Sequence, residues 1–152
     1  MLLTKPAWLC FDRIRQWQDR RTLLPTQALG RRGEDLAHRY LQRKGYRVID
    51  RNWRSRNGLS EVDLIAWQRG TPDRLVFVEV KSRTNDEFGS PERNIDRDKM
   101  IALRRAAREY CRKGFVDEQL VRFDTISIVF EPDLRLEHDT DAFSWQPTLH
   151  QL

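Results

Sequence analysis

Val76, Val78 and Val80 alternate with Phe77, Glu79, Lys81 and Arg83. This period of two marks a β-strand, since successive side chains of an extended chain point to opposite faces. Patterns of this kind predict strands at YRVIDRNW (46–53), EVDLIAW (61–67), LVFVEVKSR (75–83) and VRFDTISIVF (121–130). Leu29, Leu36, Ala37, Tyr40 and Leu41 instead share one face of a helix expected from about Thr26 to Lys44, with Gly45 as its stop signal. Residues 96–113 predict a second helix, with Met100, Leu103, Ala107 and Tyr110 inward and Gly114 closing it. SRNG (55–58) reads as a turn, Gly70 and Pro72 mark a loop, and residues 84–95 read as a mobile loop. An acidic tail is expected after residue 130.

The first three strands are joined by short links, which favours antiparallel neighbours. The helix at 96–113 can carry the chain across so that the strand at 121–130 joins the sheet in parallel. The expected fold class is therefore α/β, a mixed β-sheet flanked by helices. The chain divides into three regions: a basic helical extension at 1–28, an α/β domain at 29–145 and a short tail at 146–152. In the extension, Ala7, Phe11, Ile14 and Trp17 recur at helical spacing among arginines, and Leu24-Pro25-Thr26 reads as a linker. Such a helix either docks on its own domain or touches a membrane surface or partner.

Charge changes this picture. Residues 1–56 hold 14 Lys/Arg against 5 Asp/Glu, a net of +9, whereas residues 117–152 hold 2 against 8, a net of −6. A basic half suits phosphate-bearing partners, because lysine and arginine release counterions from nucleic acid; a solvated basic surface is the plainer alternative. No apolar run approaches the ~20 residues that cross a bilayer. Lys5, Pro6 and Asp12 interrupt the N-terminus, so no secretory signal is expected. Cys10 and Cys111 fit no metal or redox spacing, and a cytoplasmic setting is expected. His38, His138 and His150 are scattered and form no nucleophile pairing; Trp53 and Trp67 suit either core packing or stacking on bases.

The charges on the strand at 75–83 matter most. If Trp67 faces Leu75 in a hairpin, Ile65 faces Phe77, Asp63 faces Glu79 and Glu61 faces Lys81. Directly opposed side chains have Cβ atoms roughly 5 Å apart. Two ionised carboxylates that close repel, so one takes a proton or a cation sits between them. A hard dication such as Mg²⁺ suits an oxygen-only site, with Lys81 on the same face to assist water or stabilise phosphate charge. Ordinary ion pairs, Glu61–Lys81 and Glu79–Arg83, are the competing reading.

Asp63 followed by Glu79-Val80-Lys81 resembles the metal-dependent PD-(D/E)xK nucleases, whose fold is restriction-endonuclease-like. The longer series GRRGEDLAHRYLQRKGY (30–46), RNW (51–53), EVDLIA (61–66), VFVEVKSR (76–83), Phe88-Gly89, Lys99, RFDTISI (122–128) and DAF (141–143) resembles the bacterial YraN family, similar in layout to archaeal Holliday-junction resolvases. The resemblance implies a Mg²⁺- or Mn²⁺-dependent endonuclease acting on DNA, including branched DNA, as a homodimer. It implies Asp63, Glu79 and the Val80 carbonyl as metal ligands, Lys81 as the catalytic lysine and Glu34 as the acid completing the site. Ser60 stands where the family usually has glycine, which leaves the role of Glu61 open. Arg31, Arg32, Arg83 and Lys99 are expected on nucleic acid, with Arg104, Arg105 and Arg108 as further candidates. Lys99 equally suits a solvated helix start, and Asp124 reads as structural. The alternative is a binding or adaptor module on a nuclease fold without turnover; a third reading gives the working role to residues 1–28.

Overall fold

Leu75, Val76, Phe77 and Val78 are all fully buried, as a strand covered on both faces requires. The computed structural model describes residues 25–85 and 96–145. In chain order they form α1 (Pro25–Arg43), β1 (Arg47–Arg54), β2 (Glu61–Gln68), β3 (Arg74–Arg83), α2 (Arg97–Gly114), β4 (Val121–Val129) and β5 (Arg135–Phe143), with a 3-10 turn at Glu118–Leu120. The strands make one sheet in the order β1-β2-β3-β4-β5. Only β3 and β4 run parallel, and α2 is the crossover between them.

Among the described residues, each face of the sheet carries one helix. Leu103, Ala106, Ala107 and Cys111 of α2 pack on Ile65, Leu75, Phe77 and Phe123. Ala37 and Leu41 of α1 pack on Leu64, Ala66, Val76, Val78, Ile126 and Ile128 on the other side. This is the mixed sheet flanked by helices that the sequence predicts, an α/β arrangement of restriction-endonuclease-like form. The Trp67–Leu75 and Ile65–Phe77 pairings are as expected. Among the described residues no helix is long and apolar enough to cross a membrane. Most of the expected 1–28 extension, most of the 84–95 loop and the 146–152 tail lie outside the described residues.

Three expectations need correction. Pro25 and Thr26 belong to the first turn of α1 rather than to a linker; the fixed φ of proline and its missing N–H suit that position. Gly114 does not close the second helix: the helix runs through it, and Phe115 takes the left-handed position at φ 54, its N–H donating to the Cys111 carbonyl. The acidic tail is in large part β5, an antiparallel edge strand. Its charged, mostly exposed residues hide the apolar alternation that announces a strand and guard the open edge.

The register of β1 on β2 shifts between Val48 and Asp50, and the pleat is broken at two further places. Arg51 pairs with Leu64 and Trp53 with Val62, enclosing Asn52 and Asp63, and Asn52 sits at φ 49. Asparagine tolerates that left-handed conformation better than most residues. Val62 packs with Ile65 on the α2 face whereas Leu64 packs on the α1 face, so strict alternation fails around Asp63. A second irregularity lies between Phe123 and Thr125, opposite Asp141 at φ 56.

Candidate active site

The β2–β3 ladder ends at Leu64–Val78, one step before the acids. Beyond it the strands are joined by a side chain: Asp63 Oδ2 accepts the Val80 backbone N–H at 2.7 Å. Asp63 and Glu79 then lie close enough for each to act on the other's charge. Burial pushes the Asp63 carboxyl up to about 7, and the Glu79 charge pushes in the same direction, against the Val80 N–H and Lys99. Glu79 is also raised by burial, opposed chiefly by Lys99. The pair therefore holds a proton far more readily than free carboxylates.

Lys99, in the first turn of α2, places Nζ 3.0 Å from Glu79 Oε2, with the two side chains 31% and 13% exposed. Burial alone would lower the ammonium pKa, but Glu79 and then Asp63 hold it above the ordinary lysine value. Asp96 caps α2 by accepting the Lys99 N–H at 3.0 Å, which fixes the start of the helix beside the acids. Glu79 is thus paired with Lys99 rather than given over to a simple Glu79–Arg83 surface pair. Lys81 is half-buried one register step from Glu79, and its charge also lowers the Glu79 pKa, after that of Lys99. Val80 lies between them and pairs with Ile126 in the ladder.

Glu34 reaches this region from the opposite face. Gly33 lets α1 lie close on β3, since a Cβ there would collide with the Ser82 side chain. Glu34 Oε2 accepts the Asn52 amide at 3.0 Å and stands 3.9 Å from Arg51. Burial raises its pKa, the Asn52 bond opposes this, and Asp63 adds to the rise. Glu34 is therefore an electrostatic neighbour of Asp63, oriented by Asn52. Beside it, Asp35 is 2% exposed and accepts Arg51 Nη2 at 2.7 Å. Asn52, Arg51 and Asp35 are residues that sequence reasoning missed; the usable signal was an asparagine in mid-strand, opposite the key aspartate.

Other candidates fall elsewhere. Glu61 pairs with Arg54 at 3.3 Å. Ser60 is buried in the β1–β2 turn, donating its N–H to Ser55 Oγ at 3.0 Å, and has no left-handed backbone, so serine fits where glycine is usual. Arg31 and Arg32 are exposed on α1, with the Arg32 guanidinium 4.4 Å from the Phe130 ring centre, and Arg83 is half-buried at the end of β3. Arg104 is buried and donates from Nε and Nη2 to the Ser144 carbonyl at 3.1 and 2.9 Å, which makes it a structural anchor. Trp53 packs edge-on against Tyr110, supporting the packing reading. Asp124 is fully buried and accepts from Arg122, His138 and the Asp141 N–H, as a structural residue should. Burial by itself would raise its pKa, but His138 and Arg122 hold it below the usual carboxylate value.

Fold and site together define an α/β protein of restriction-endonuclease-like form with a half-buried acid pair on neighbouring central strands. The family model "Uncharacterised protein family UPF0102" matches residues 33–128, and the chain belongs to that family, the YraN family. The match takes in Glu34, Asp63, Glu79, Lys81 and Lys99. The chain is 46% identical over 114 residues to a UPF0102 protein of Solibacter usitatus, covering 75% of this chain and 84% of the relative. It is 46% identical over 118 residues to one of Rhodococcus opacus, covering 76% and 96%, and 47% identical over 118 residues to one of Geobacter sulfurreducens, covering 76% and 88%.

Proposed function

We propose that this protein is a divalent-metal-dependent endonuclease that hydrolyses phosphodiester bonds of DNA. The observation that carries the reading is the Asp63–Glu79 pair, two half-buried acids that act on each other's charge, with a lysine ammonium 3.0 Å from one of them. Such an arrangement destabilises the fold unless it holds a proton or a cation.

The donor set fits Mg²⁺ or Mn²⁺. Both prefer oxygen ligands, and Mg²⁺ usually keeps several waters while taking only one or two carboxylates. Asp63 and Glu79, with the Val80 carbonyl, are that set. Among the described residues no group of three or more His, Cys, Asp or Glu comes together as a metal site. Bound there, the ion would act as a Lewis acid and lower the pKa of a water for attack on phosphorus.

The remaining work belongs to the chain. Asp63 and Glu79 hold the cation; Glu34, oriented by Asn52, adds negative potential beside Asp63. Lys81 stabilises charge developing on the phosphate, while Lys99 neutralises Glu79 in the metal-free protein. Arg31, Arg32 and Arg83 contact the backbone of the nucleic acid. The resolvase-like order of motifs extends the proposal to branched DNA and to a homodimer meeting two related strands, working in the cytoplasm.

The test is a Mg²⁺ and Mn²⁺ titration with labelled single-stranded, duplex, flap and four-way DNA. Metal-dependent cleavage that disappears in Asp63→Asn and Glu79→Gln supports the enzyme. Tight binding without cleavage at any metal concentration overturns it in favour of a binding module.

A further inference from the structure

The exposed side of α2 forms a basic groove with the β1–β2 turn. It encloses about 730 Å³ and is lined by Arg56, Arg105, Arg108, Arg112 and Lys113, with Glu109. Five cations against one acid give a net of +4. Arg105, Arg108 and Arg112 recur at i, i+3 and i+7, so they form one stripe of the helix, and all three are exposed. Glu109 accounts for the groove's shape: it accepts the Arg56 backbone N–H at 2.9 Å and pairs with Lys113 at 2.9 Å, tying the turn to the helix. The neighbouring Arg104 points elsewhere, into its bonds with Ser144.

We propose that this groove holds the sugar–phosphate backbone of a duplex DNA arm. The proposal rests on the reading of the protein as a DNA-acting enzyme, to which it adds a binding track. At about 100° per residue the stripe lies roughly 180–240° around α2 from Lys99, so the groove is on the side of the helix turned away from the acid pair. At a rise of about 1.5 Å per residue the stripe from Arg105 to Arg112 is roughly 10 Å long. At ~3.4 Å per base pair that covers about three base pairs. Two of the groove's cations lie over tryptophan rings, the Arg108 guanidinium 5.5 Å from the Trp145 ring centre and the Lys113 ammonium 5.6 Å from that of Trp53. Arginines on phosphates fix position without reading sequence.

The experiment measures binding of the full chain to a 24-base-pair duplex by fluorescence anisotropy, in EDTA, across a KCl series. Each phosphate contact contributes about 0.9 to the slope of log K against log salt. The double variant Arg105→Gln/Arg112→Gln is expected to lower the slope by about 2 and to weaken binding at least tenfold at moderate salt. Arg105→Lys/Arg112→Lys retains the slope, which separates lost charge from a damaged fold. Arg47→Gln, an exposed arginine on β1, leaves binding unchanged. Unchanged slope and affinity in the double variant overturns the groove, as does an equal loss in Arg47→Gln or tighter binding of single strands than of duplex. Because EDTA removes any metal, the outcome is independent of hydrolysis. Loss of binding in a protein that never cleaves leaves the groove standing and removes the enzyme; cleavage with unaltered binding in the double variant does the reverse.

Discussion

Asp63 Oδ2 accepts the backbone N–H of Val80 at 2.7 Å, one step past the last paired residues of β2 and β3. This bond replaces the missing rung of the ladder with a carboxylate. It holds Asp63 against Glu79 where two backbones in regular register would leave the side chains free to diverge. The acid pair is therefore built into the sheet, and its electrostatic cost is carried by the fold.

That cost has a pH dependence. The Asp63 pKa rises from 3.8 to about 7 on folding. The folded state then binds more protons than the unfolded chain between those values, so stability falls as pH rises through that window. Thermal unfolding in EDTA should show a Tm that declines from pH 5 to pH 8. Asp63→Asn should flatten the decline and stabilise the metal-free protein at pH 8 by on the order of 1–3 kcal/mol, while keeping an oxygen to accept the Val80 N–H. A parent Tm that is flat or rises over this range would contradict the burial of a strained pair.

Lys99 neutralises Glu79 from the first turn of α2. Lys99→Met leaves two half-buried acids with less compensation, and should cost about 1–3 kcal/mol at pH 8 in EDTA, less than for a fully buried pair because the ammonium is partly solvated. The same change removes a competing cation. A ligand present at 100 times its Kd stabilises by about 2.7 kcal/mol, so Mn²⁺ should raise Tm more in Lys99→Met than in the parent. Equal increments in both would separate Lys99 from the metal site.

Much of this was legible in the sequence because burial imposed it. The apolar runs at 61–67 and 75–83 fixed their own pairing, since a slip of one residue would have turned their faces over. The contact of Asp63 with Glu79 came with that register even though the ladder stops short of it. What escaped was built from local backbone geometry. The left-handed Asn52 gives no periodic signal, and its partner Glu34 entered the site only through the resemblance. β5 lay hidden because an exposed edge strand is polar on both faces. Phe115 took the left-handed position beside a glycine that looked better suited to it.

Gly33 shows how a small residue sets the site from a distance. A methyl group there meets Ser82 Oγ first and then Ser82 Cβ, so α1 would have to lift from β3. Gly33→Ala should destabilise by about 1–3 kcal/mol, as overpacking commonly does. Ser82→Ala in the same chain removes the nearest atom and should recover part of that loss in a denaturant melt. A neutral or stabilising Gly33→Ala would mean that the helix shifts freely, and that its closeness to the sheet is not what brings Glu34 toward Asp63.

Asp124 anchors the far side of the sheet. Its carboxylate accepts Arg122 Nε and Nη2 at 2.8 Å each, bonds His138 Nε2 at 2.8 Å and accepts the Asp141 N–H at 3.1 Å. Arg122 in turn donates to Gln68 and to the Tyr46 hydroxyl, so one network links β2, β4, β5 and the segment just after α1. Removing one member of a buried pair strands the other charge, at a cost of about 3–5 kcal/mol. Asp124→Asn should therefore lower the unfolding free energy by roughly that amount and release β5 first, because its pleat break at Asp141 is held by the same carboxylate. Hydrogen exchange reads this directly: amides of residues 135–143 should lose protection while those of β2 and β3 retain it. Uniform loss across the sheet, or no loss, would show that β5 does not depend on Asp124.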